Sequence, residues 1–485
     1  MKKLKLKMWS QLAKKVKIQL ENRVIKLREE RQLLSRFLIV LGSCPQLVPK
    51  LNEVIGNFEM SVVPRSLVAV DGTLHIPADK SSLMKMIEGD QSKKFSPNTR
   101  NKTNATRILI VDAMEVLKGI TKTSKMTKIL HLQEEFIKRI SRLLHGYDEG
   151  RIVFDKYVDE SLKNKTRMKR SQTTAEFAIH PEMSLTMSIK ELLSASSTKR
   201  SLTIMIANAT LNHFIDENQA KIVVVYDDKI VKGECRERVE LHTHEEADTL
   251  IPYQVLACID EQEEDKALDI DVTTPDTDVI TYCADVDAKG LLKDNVSLSI
   301  ITGKNTKSTC RRVVDVRERV KALGSTKAKA LIGLHNFTGA DWGGKFVGIS
   351  KQKWCDAFMK LPDESPVLES LSIMGETHIP GELQNAELPL NVAALEPFVC
   401  SVYSTNGPKN LPELRWELFR TKNREGEMLP PTRASLLPHI IRCNYISRRD
   451  KSYTPANPVL PPIEENGWNL EQGIYTSHVS KSAST

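Results

Sequence analysis

Short apolar runs recur through the middle of the chain, and most of them end in or near an acidic residue. The runs are RILIVDA (107–113), RIVFDKY (151–157), KIVVVYDD (221–228), LDIDVTTPDTD (268–278), VSLSIIT (296–302) and AKALIGLHN (328–336). Continuous apolar runs of this length are typical of parallel strands that are buried on both faces. The pattern therefore predicts a series of buried strands.

Longer stretches between these runs have the periodicity of helices. KILHLQEEFIKRISRLLHG (128–146), for example, is amphipathic at helical spacing. Strands that alternate with helices imply an α/β fold whose mainly parallel sheet is covered by helices on both faces. We assign this core to residues 105–360 and expect helical additions at both of its ends.

The N-terminal side of the core has a different texture. In residues 1–42, apolar residues recur at roughly helical spacing between Lys and Arg, which predicts helix. DKSSLMKMI (79–87) begins like a capped helix, and the polar stretch at 89–104 is typical of a linker. We therefore expect residues 1–104 to form a helical region followed by a linker.

The C-terminal side alternates Pro-containing loops with short helical pieces. LPELRWELFRTK (411–422) is an amphipathic example, and we expect residues 361–469 to form a mixed region. The tail at 470–485 is rich in Ser and Thr and is predicted to be disordered.

Composition narrows the classes of function. The chain has 485 residues and a net charge of +8, which permits a polyanionic partner without requiring one. Its eight cysteines include no CxxC pair, so we expect neither a zinc ribbon nor a disulfide framework. Scattered cysteines suit a reducing compartment, and we expect a nuclear or cytoplasmic protein. The longest apolar run near the N-terminus, Phe37–Leu41, is too short to cross a bilayer, and we expect no membrane partner.

Acidic residues follow or lie near the ends of the predicted strands. In chain order they are Asp112, Asp155, Glu246, Asp248, Asp276, Asp278 and Asp341. Open α/β sheets bind their ligands beyond the carboxyl ends of the strands. We therefore expect these side chains to converge on one cleft at that edge of the sheet.

Carboxylates that converge require compensation, because like charges a few ångströms apart raise each other's pKa or attract cations. Mg²⁺ and Mn²⁺ prefer oxygen ligands, and two such ions about 4 Å apart promote phosphodiester hydrolysis. A single acid at a strand end is usually a helix cap or a turn residue. The ordered set, and not any one member, therefore predicts a metal site.

The ordered set resembles the motifs of the PIN-like and flap-endonuclease superfamily of metal-dependent nucleases. The matching pieces are LIVDAM, RIVFDKYVDESLKNKTRMKR, EEAD, TPDTD and TGAD, and they fill all of the family's acidic positions. The resemblance implies a PIN-like fold and two bound ions, Mg²⁺ or Mn²⁺. It assigns Asp112, Asp155, Glu246 and Asp248 to one metal and Asp276, Asp278 and Asp341 to the second.

A basic segment follows Asp155. Its cations are Lys163, Lys165, Arg167, Lys169 and Arg170. By resemblance to flap endonucleases, Lys163 and Arg170 hold the scissile phosphate and stabilise charge in the transition state. The alternative is that this segment is only the solvated face of a helix.

A second resemblance covers more of the chain, from about residue 58 to residue 470. VFDKYVDESLKNKTRMKR, EEADT, DTDV, LHNFTGADWGGKFVG and LPELRWELFR are similar to poorly characterised invertebrate proteins that are often associated with mobile elements. No activity is established for that group, so this resemblance bears on the fold more than on the function.

One element departs from the flap-endonuclease pattern. After the last acid, those enzymes have a helix–two-turn–helix with a Gly-Ile-Gly turn that grips duplex DNA, whereas here Gly348 and Ile349 are followed by Ser350. The resemblance therefore does not extend to duplex binding by this element. Lysines suited to contact phosphate nearby are Lys345, Lys351 and Lys353.

Two histidines precede the central acids in HTHEEADTLI (242–251). His242 and His244 have a side chain that could ligate a transition metal. No second His/Cys cluster at a suitable spacing accompanies them, so we expect them to be strand-end and capping residues.

The function expected from these observations is metal-dependent hydrolysis of nucleic acid, DNA or RNA, with water as the nucleophile. Two alternatives stay open. One is a catalytically inactive nucleic-acid-binding or scaffold protein on a PIN-like fold, and the other is a mobile-element accessory protein that acts through protein contacts of its C-terminal region.

Overall fold

The chain is described by a computed structural model in discontinuous stretches. These are residues 15–20, 23–28, 51–59, 61, 63–70, 72–77, 81–89, 93–94, 105–157, 179–194, 196–216, 221–235, 238–263, 266–303, 310–340, 343–377, 379, 390–422, 424, 426–471 and 474–477.

A nine-stranded sheet forms the centre of the α/β core. Its strands are β3 (Lys93–Lys94), β4 (Thr106–Asp112), β5 (Glu149–Val153), β6 (Lys221–Tyr226), β7 (Lys229–Lys232), β8 (Val239–Leu241), β9 (Leu268–Thr273), β10 (Val296–Thr302) and β11 (Arg312–Asp315). Two antiparallel pairs lie outside this sheet: β1 (Lys15–Leu20) with β2 (Arg23–Arg28), and β12 (Trp468–Glu471) with β13 (Ile474–Ser477).

The order of the large sheet is β3-β11-β10-β9-β4-β5-β6-β7-β8. The central strands, from β10 through β9, β4 and β5 to β6, are all parallel. The outer strands at both edges pair antiparallel. The carboxyl ends of the central strands therefore meet at one edge, as the α/β pattern predicts.

The helices are numbered here in chain order. They are α1 (Leu51–Asn57), α2 (Ser81–Glu88), α3 (Ala113–Lys118), α4 (Ile129–Leu144), α5 (Ile189–Leu192), α6 (Ser196–Asp216), α7 (Ala247–Glu261), α8 (Thr277–Ala288), α9 (Val316–Leu323), α10 (Ser325–Gly339), α11 (Lys351–Met359), α12 (Pro366–Ser372), α13 (Leu390–Ala393), α14 (Leu395–Tyr403), α15 (Leu411–Lys422) and α16 (Arg433–Asp450). Within the described residues, no helix is both long and apolar enough to cross a membrane.

The chain divides into two compact units, and both are discontinuous in sequence. One contains the residues up to Ser82, Gly333–Ile446 and the residues from Pro461; the other, the sheet unit, contains Leu83–Ile332 and Ser447–Leu460. The texture of the sequence instead predicts consecutive regions at 1–104, 105–360 and 361–469. The difference arises because segments that are distant in sequence pack together, which no local composition records.

The core of the sheet unit explains why its central strands are continuously apolar. Leu109 and Val111 of β4 belong to a buried cluster that contains Phe136 of α4 and Phe214 of α6. Side chains alternate between the two faces of a strand, and α7 packs against the sheet at β4, β5 and β9. Both faces are therefore covered, so every position of these strands is best filled by an apolar residue.

The other unit has an aromatic core of its own. Neighbouring ring centroids lie 4.9 to 5.8 Å apart in a cluster of Phe337, Phe346, Trp354, Phe398 and His439. These spacings are typical of edge-to-face and tilted aromatic packing, which adds to the free energy gained by burial.

Most predicted elements of the core are present. The predicted strands at 107–113, 221–228 and 296–302 coincide with β4, β6 and β10 to within two residues, and the helix predicted at 128–146 is α4. The mainly parallel α/β class is thus confirmed by the structure.

The strand predicted at 328–336 is wrong, because these residues lie in α10. Ala328, Ala330, Leu331 and Leu334 are fully buried in this helix. Ala and Leu are strong helix formers, and a buried helix and a buried strand both give a short apolar run without a clear period.

Two predictions for the flanks are also wrong where the structure describes them. The helix predicted over 1–42 contains the strands β1 and β2, since KVKIQL alternates polar and apolar residues with β-branched side chains. The predicted disordered tail, 470–485, contains β13, which pairs antiparallel with β12. Within the predicted linker at 89–104, β3 pairs with β11.

Arg151 connects β5 to α7 through a buried ion-pair network. Its guanidinium is 1% exposed and donates to Glu149 Oε1 at 2.5 Å, Gln254 Oε1 at 3.0 Å and Glu261 Oε2 at 2.8 Å. Because Arg151 lies in the middle of β5 and its partners extend along α7, the network fixes the helix against the sheet.

Arg151→Met is expected to lower the free energy of unfolding by about 2–4 kcal/mol, because the substitution leaves the buried Gln254 amide oxygen and the partly buried Glu149 carboxylate without this donor. Urea denaturation measures the change. The matched control is Arg139→Met, which removes the partly exposed pair with Glu135 and should cost less than about 1 kcal/mol. Equal losses from the two variants would contradict a special role for the buried network.

Candidate metal centre

Asp112 lies at the junction of β4 and α3. Its Oδ1 accepts a hydrogen bond from the Glu115 amide at 3.1 Å and so caps α3, while the Thr274 hydroxyl approaches its Oδ2 at 3.4 Å. The same Thr274 hydroxyl accepts from the Asp276 amide at 3.1 Å. Asp112 is therefore linked through one side chain to the segment that follows β9.

Asp155 lies two residues beyond β5 and joins that strand to the start of α7. Its Oδ1 accepts from the Ala247 amide at 3.1 Å, and its Oδ2 accepts from the Tyr157 hydroxyl at 3.3 Å. Ala247 is the first residue of α7, so Asp155 caps that helix from another part of the chain.

Glu246 and Asp248 flank the start of α7. Glu246 is the N-cap residue, but its side chain does not cap the helix, and it is 7% exposed. Asp248 lies in the first turn and is half-buried. The two side chains are therefore free of the capping role that Asp155 fills.

Asp276 and Asp278 are placed by the start of α8. Asp276 is the N-cap residue, and its Oδ1 accepts from the Asp278 amide at 3.1 Å. Asp278 lies in the first turn of the helix, where the helix dipole favours a negative charge.

Three of these acids come close enough to share one cation. Carboxylate oxygens of Asp248, Asp276 and Asp278 all lie within 4.8 Å of one another. A single Mg²⁺ with oxygens at about 2.1 Å holds opposite ligand atoms about 4.2 Å apart. Small side-chain rotations would therefore bring all three carboxylates onto one ion.

The donor set fits a hard divalent cation better than a transition metal. The group offers oxygen atoms alone, which is the preference of Mg²⁺ and Mn²⁺. The nearby His244 is engaged elsewhere: its Nε2 lies 2.9 Å from the Pro455 carbonyl oxygen and its Nδ1 lies 3.0 Å from the Thr249 hydroxyl.

His242 and His244 are buried at 2% and 4% exposure. Burial lowers the pKa of His242 to about 4, and burial also lowers the pKa of His244. Both rings are therefore neutral near pH 7. His242 directly follows β8, in agreement with the strand-end role expected for it. His244 contacts the Thr249 hydroxyl and the Pro455 carbonyl, and not the free amides of a helix start, so the capping role expected for it is not seen.

The electrostatics of Asp112 show that the acids are close. Burial raises the pKa of Asp112 from an ordinary 3.8 to about 7, and the charge of Asp155 acts in the same direction. The Glu115 amide and the charge of Lys118 oppose this shift. Burial is the larger cause of the raised pKa, and the contribution of Asp155 shows that its carboxylate lies near enough to Asp112 to act on it.

A C-terminal segment adds charges that the sequence analysis missed. Arg449 donates to Asp450 Oδ1 through Nε at 3.0 Å and Nη2 at 2.6 Å. Burial opposes the charge of Arg449, but the charges of Asp450 and Glu246 hold its pKa well above its ordinary range. No local pattern in SRRD (447–450) connects it with acids so distant in sequence.

Tyr282 lies between this segment and the acids. Burial raises the pKa of its phenol well above its ordinary range, and the charges of Asp450, Asp278 and Asp248 add to the shift. The phenol therefore stays neutral and is available as a hydrogen-bond donor.

Three predicted site residues lie outside the described residues: Asp341, Lys163 and Arg170. Their roles stay predictions. Asp341 follows α10 in the chain, and not a strand as the sequence analysis expects. The remaining six acids lie on the segments that follow β4, β5 and β9 and at the start of α7.

The lysines that follow α10, which are expected to contact phosphate, differ in their exposure to solvent. Lys351 is buried, and its Nζ donates to the carbonyl oxygens of His335 at 2.8 Å and Gly339 at 2.9 Å. It caps the C-terminal end of α10 and is not exposed to a ligand, whereas Lys353 is exposed. Ser350, which replaces the second glycine of the family turn, caps α11 by accepting from the Lys353 amide.

The raised pKa of Asp112 predicts a pH dependence of stability in the absence of divalent cations. The folded protein binds the proton of the Asp112 carboxyl more tightly than the unfolded chain does. The protonated carboxyl therefore stabilises the fold below about pH 4, and this stabilisation is lost as the pH rises through about 7. Asp112→Asn should therefore flatten the fall in melting temperature between pH 5 and pH 8 in EDTA, as measured by differential scanning fluorimetry.

Asn retains the acceptor that caps α3, so loss of the cap does not confound this measurement. The control is Asp148→Asn at the opposite edge of the sheet, where the Asp148 carboxylate accepts from the Arg107 amide at 2.8 Å. An unchanged pH slope in Asp112→Asn would contradict the electrostatic account of this site.

Comparison with known proteins gives structural similarities alone. No family model matches the chain, and no curated protein matches it. The T5 D15 protein co-crystallised with metal ions is 14% identical, with a TM-score of 0.32, over 72% of this chain and 97% of that chain. A complex of the bacteriophage T5 D15 flap endonuclease with DNA and metal ions is 13% identical, with a TM-score of 0.30, over 66% of this chain and 100% of that chain.

The catalytic core of Rad2 in complex with a DNA substrate is 16% identical to the chain, with a TM-score of 0.29, over 53% of this chain and 62% of that chain. These TM-scores are low. We therefore base the function on the geometry of the acids in the chain itself.

Proposed function

We propose that this protein is a divalent-metal-dependent nuclease that hydrolyses phosphodiester bonds of nucleic acid. The observation that carries the proposal is the convergence of Asp248, Asp276 and Asp278 within 4.8 Å at the carboxyl edge of a parallel sheet. The order of the acids along the chain supports the same function, because it resembles that of PIN-like and flap-endonuclease proteins.

The acids would divide between two cation sites. Asp248, Asp276 and Asp278 form the closer group, and Asp112 and Asp155, which influence each other's charge, belong to a neighbouring group with Glu246. This division differs from the assignment implied by the resemblance, which places Asp248 with Asp112 and Asp155. A residue between two ions can contribute to both, and we propose this role for Asp248.

When bound, Mg²⁺ or Mn²⁺ would supply Lewis-acid stabilisation of the phosphodiester oxygens and would lower the pKa of water. The residues of the chain provide the rest. The capping interactions of Asp112, Asp155 and Asp276 hold their carboxylates in fixed orientations, since one oxygen of each is bound to a backbone amide. The second oxygen of each keeps acceptor capacity for a ligand.

A direct assay tests this proposal. Purified protein is incubated with labelled single-stranded, duplex and flapped DNA and RNA in Mg²⁺, Mn²⁺ or EDTA. We expect cleavage of at least one substrate with either cation and none in EDTA. Binding of nucleic acid without any cleavage would instead support the inactive nucleic-acid-binding protein, and absence of both would support a scaffold role.

Asp278→Asn tests the closer group of acids, because it keeps the shape of the side chain and removes one charge. We expect cleavage to fall by more than about 100-fold. We also expect the melting temperature in EDTA to stay the same or rise, because repulsion among the remaining carboxylates decreases. Fluorimetry with EDTA and with Mn²⁺ should show that the metal-dependent stabilisation of the wild type is lost.

The matched control for this variant is Asp294→Asn, an exposed position of the same unit that precedes β10. It should leave both measurements unchanged. If Asp278→Asn lowers the melting temperature equally with and without Mn²⁺, Asp278 is a structural residue and the metal assignment is wrong.

The phosphate-binding role proposed for Lys163 and Arg170 has its own test. Lys163→Ala and Arg170→Ala should each reduce cleavage while leaving the Mn²⁺-induced shift in melting temperature intact, because neither residue is a proposed ligand. Lys138→Ala, at an exposed position of α4, serves as the control. Wild-type cleavage by both variants would leave this segment as a solvated basic surface.

A further inference from the structure

Residues Ser447–Leu460, here called the strap, belong to the sheet unit although they follow it by more than a hundred residues in sequence. The strap begins in the last turn of α16 and continues through SYTPANPVL. Its contacts include α8, α10 and the loop before α7. Asp276 and Asp278 lie at the start of α8, and Asp248 lies in the first turn of α7, which that loop precedes.

At α8, the strap is held by Tyr453. The Tyr453 ring is 1% exposed and packs with Tyr282, Val286 and Ile332 in a small apolar cluster. Its hydroxyl donates to Asp285 Oδ2 at 2.8 Å. Lys289 binds the same carboxylate oxygen at 2.8 Å and lies 5.6 Å from the centre of the Tyr453 ring.

At α7, the strap is held by its backbone. The Thr243 amide donates to the Ala456 carbonyl at 3.1 Å, and His244 Nε2 lies 2.9 Å from the Pro455 carbonyl. A carbonyl oxygen can only accept, so the neutral His244 carries its proton on Nε2. Its Nδ1 then accepts from the Thr249 hydroxyl in the first turn of α7.

The strap also brings charge to the site. Asp450, which is 3% exposed, binds Arg449, and both lie near enough to Tyr282 and the acids to influence them electrostatically. Arg449 is the cation among these residues that acts on Glu246. A guanidinium beside a carboxylate cluster reduces the repulsion within it.

We propose that the strap sets the separation between Asp248 on α7 and Asp276 and Asp278 on α8, with Tyr453 and His244 as positioning residues. The metal part of this inference rests on the proposed function. Neither residue belongs to the acid group itself, so each acts on a bound cation only through the elements it holds. Partners of this kind commonly change metal affinity by about 10–100-fold.

Tyr453→Phe tests the α8 contact in the full-length protein, because it removes one hydroxyl and keeps the ring in the apolar cluster. We expect the Kd for Mn²⁺, measured by electron paramagnetic resonance of the free ion, to rise about 10-fold. We also expect faster hydrogen exchange, measured by mass spectrometry without metal, at residues 247–250 and 277–281.

The control is Tyr147→Phe, which removes a hydroxyl that donates to buried Asp271 Oδ2 at 2.7 Å. Tyr147 precedes β5, at the edge of the sheet opposite to the acids. Tyr147→Phe should lower the free energy of unfolding about as much as Tyr453→Phe does. It should not change the Mn²⁺ affinity or the hydrogen exchange at the starts of α7 and α8.

His244 provides a second, graded pair of variants. A Gln amide reaches about as far as Nε2 of histidine and can still donate to the Pro455 carbonyl, whereas an Asn amide reaches only as far as Nδ1. His244→Gln should therefore retain more of the Mn²⁺ affinity than His244→Asn. A purely structural loss would lower the melting temperatures of the two variants without this order in affinity.

The outcomes separate the two proposals. If the wild type binds Mn²⁺ and Tyr453→Phe changes neither affinity nor exchange beyond the Tyr147→Phe control, the strap proposal is overturned and the metal proposal stands. If the wild type binds no Mn²⁺, the proposed nuclease function is overturned. In that case, hydrogen exchange at the starts of α7 and α8 in Tyr453→Phe is the measurement that tests whether the strap positions these helices.

Discussion

Repulsion between carboxylates is the constraint around which the sheet edge is organised. A parallel sheet brings the ends of its strands to one edge, and this chain places an acid at or near three of those ends. The starts of α3, α7 and α8 point toward the same edge, so their positive dipole ends offset part of the negative charge. Burial raises the pKa of Asp112 to about 7, and the charge of Asp155 adds to this shift, so part of the repulsion remains. A cation would supply what the helices do not.

Local sequence was sufficient to predict the parts of the site that lie on the central strands. A strand buried on both faces must be apolar at every position, and the acid that follows then stands out, as Asp112 does after β4 and Asp276 after β9. The helix α4 was equally clear, because its amphipathic sequence allows one interpretation. Convergence at one edge then follows from the parallel order of the strands.

Other parts of the structure could not be predicted in this way. In AKALIGLHN (328–336), Lys329 is exposed and the other positions are buried on several sides of α10. Burial of that kind removes the periodicity that distinguishes a helix from a strand. Arg449 and Tyr453 lie in a segment far along the chain, where Arg449 acts on Glu246 and Tyr453 donates to Asp285. Pairings of this kind have no spacing that a sequence records.

The discontinuity of the sheet unit affects the order in which the protein can mature during synthesis. All nine strands of the large sheet have left the ribosome well before the strap is made, since residues 333–446 are translated in between. At about 5–20 residues per second, this interval is on the order of ten seconds. Throughout it, the nascent sheet exposes its acids without Tyr453 or Arg449. The strap is therefore translated after the sheet it packs against, which delays full assembly of the site until residues 447–460 have been made.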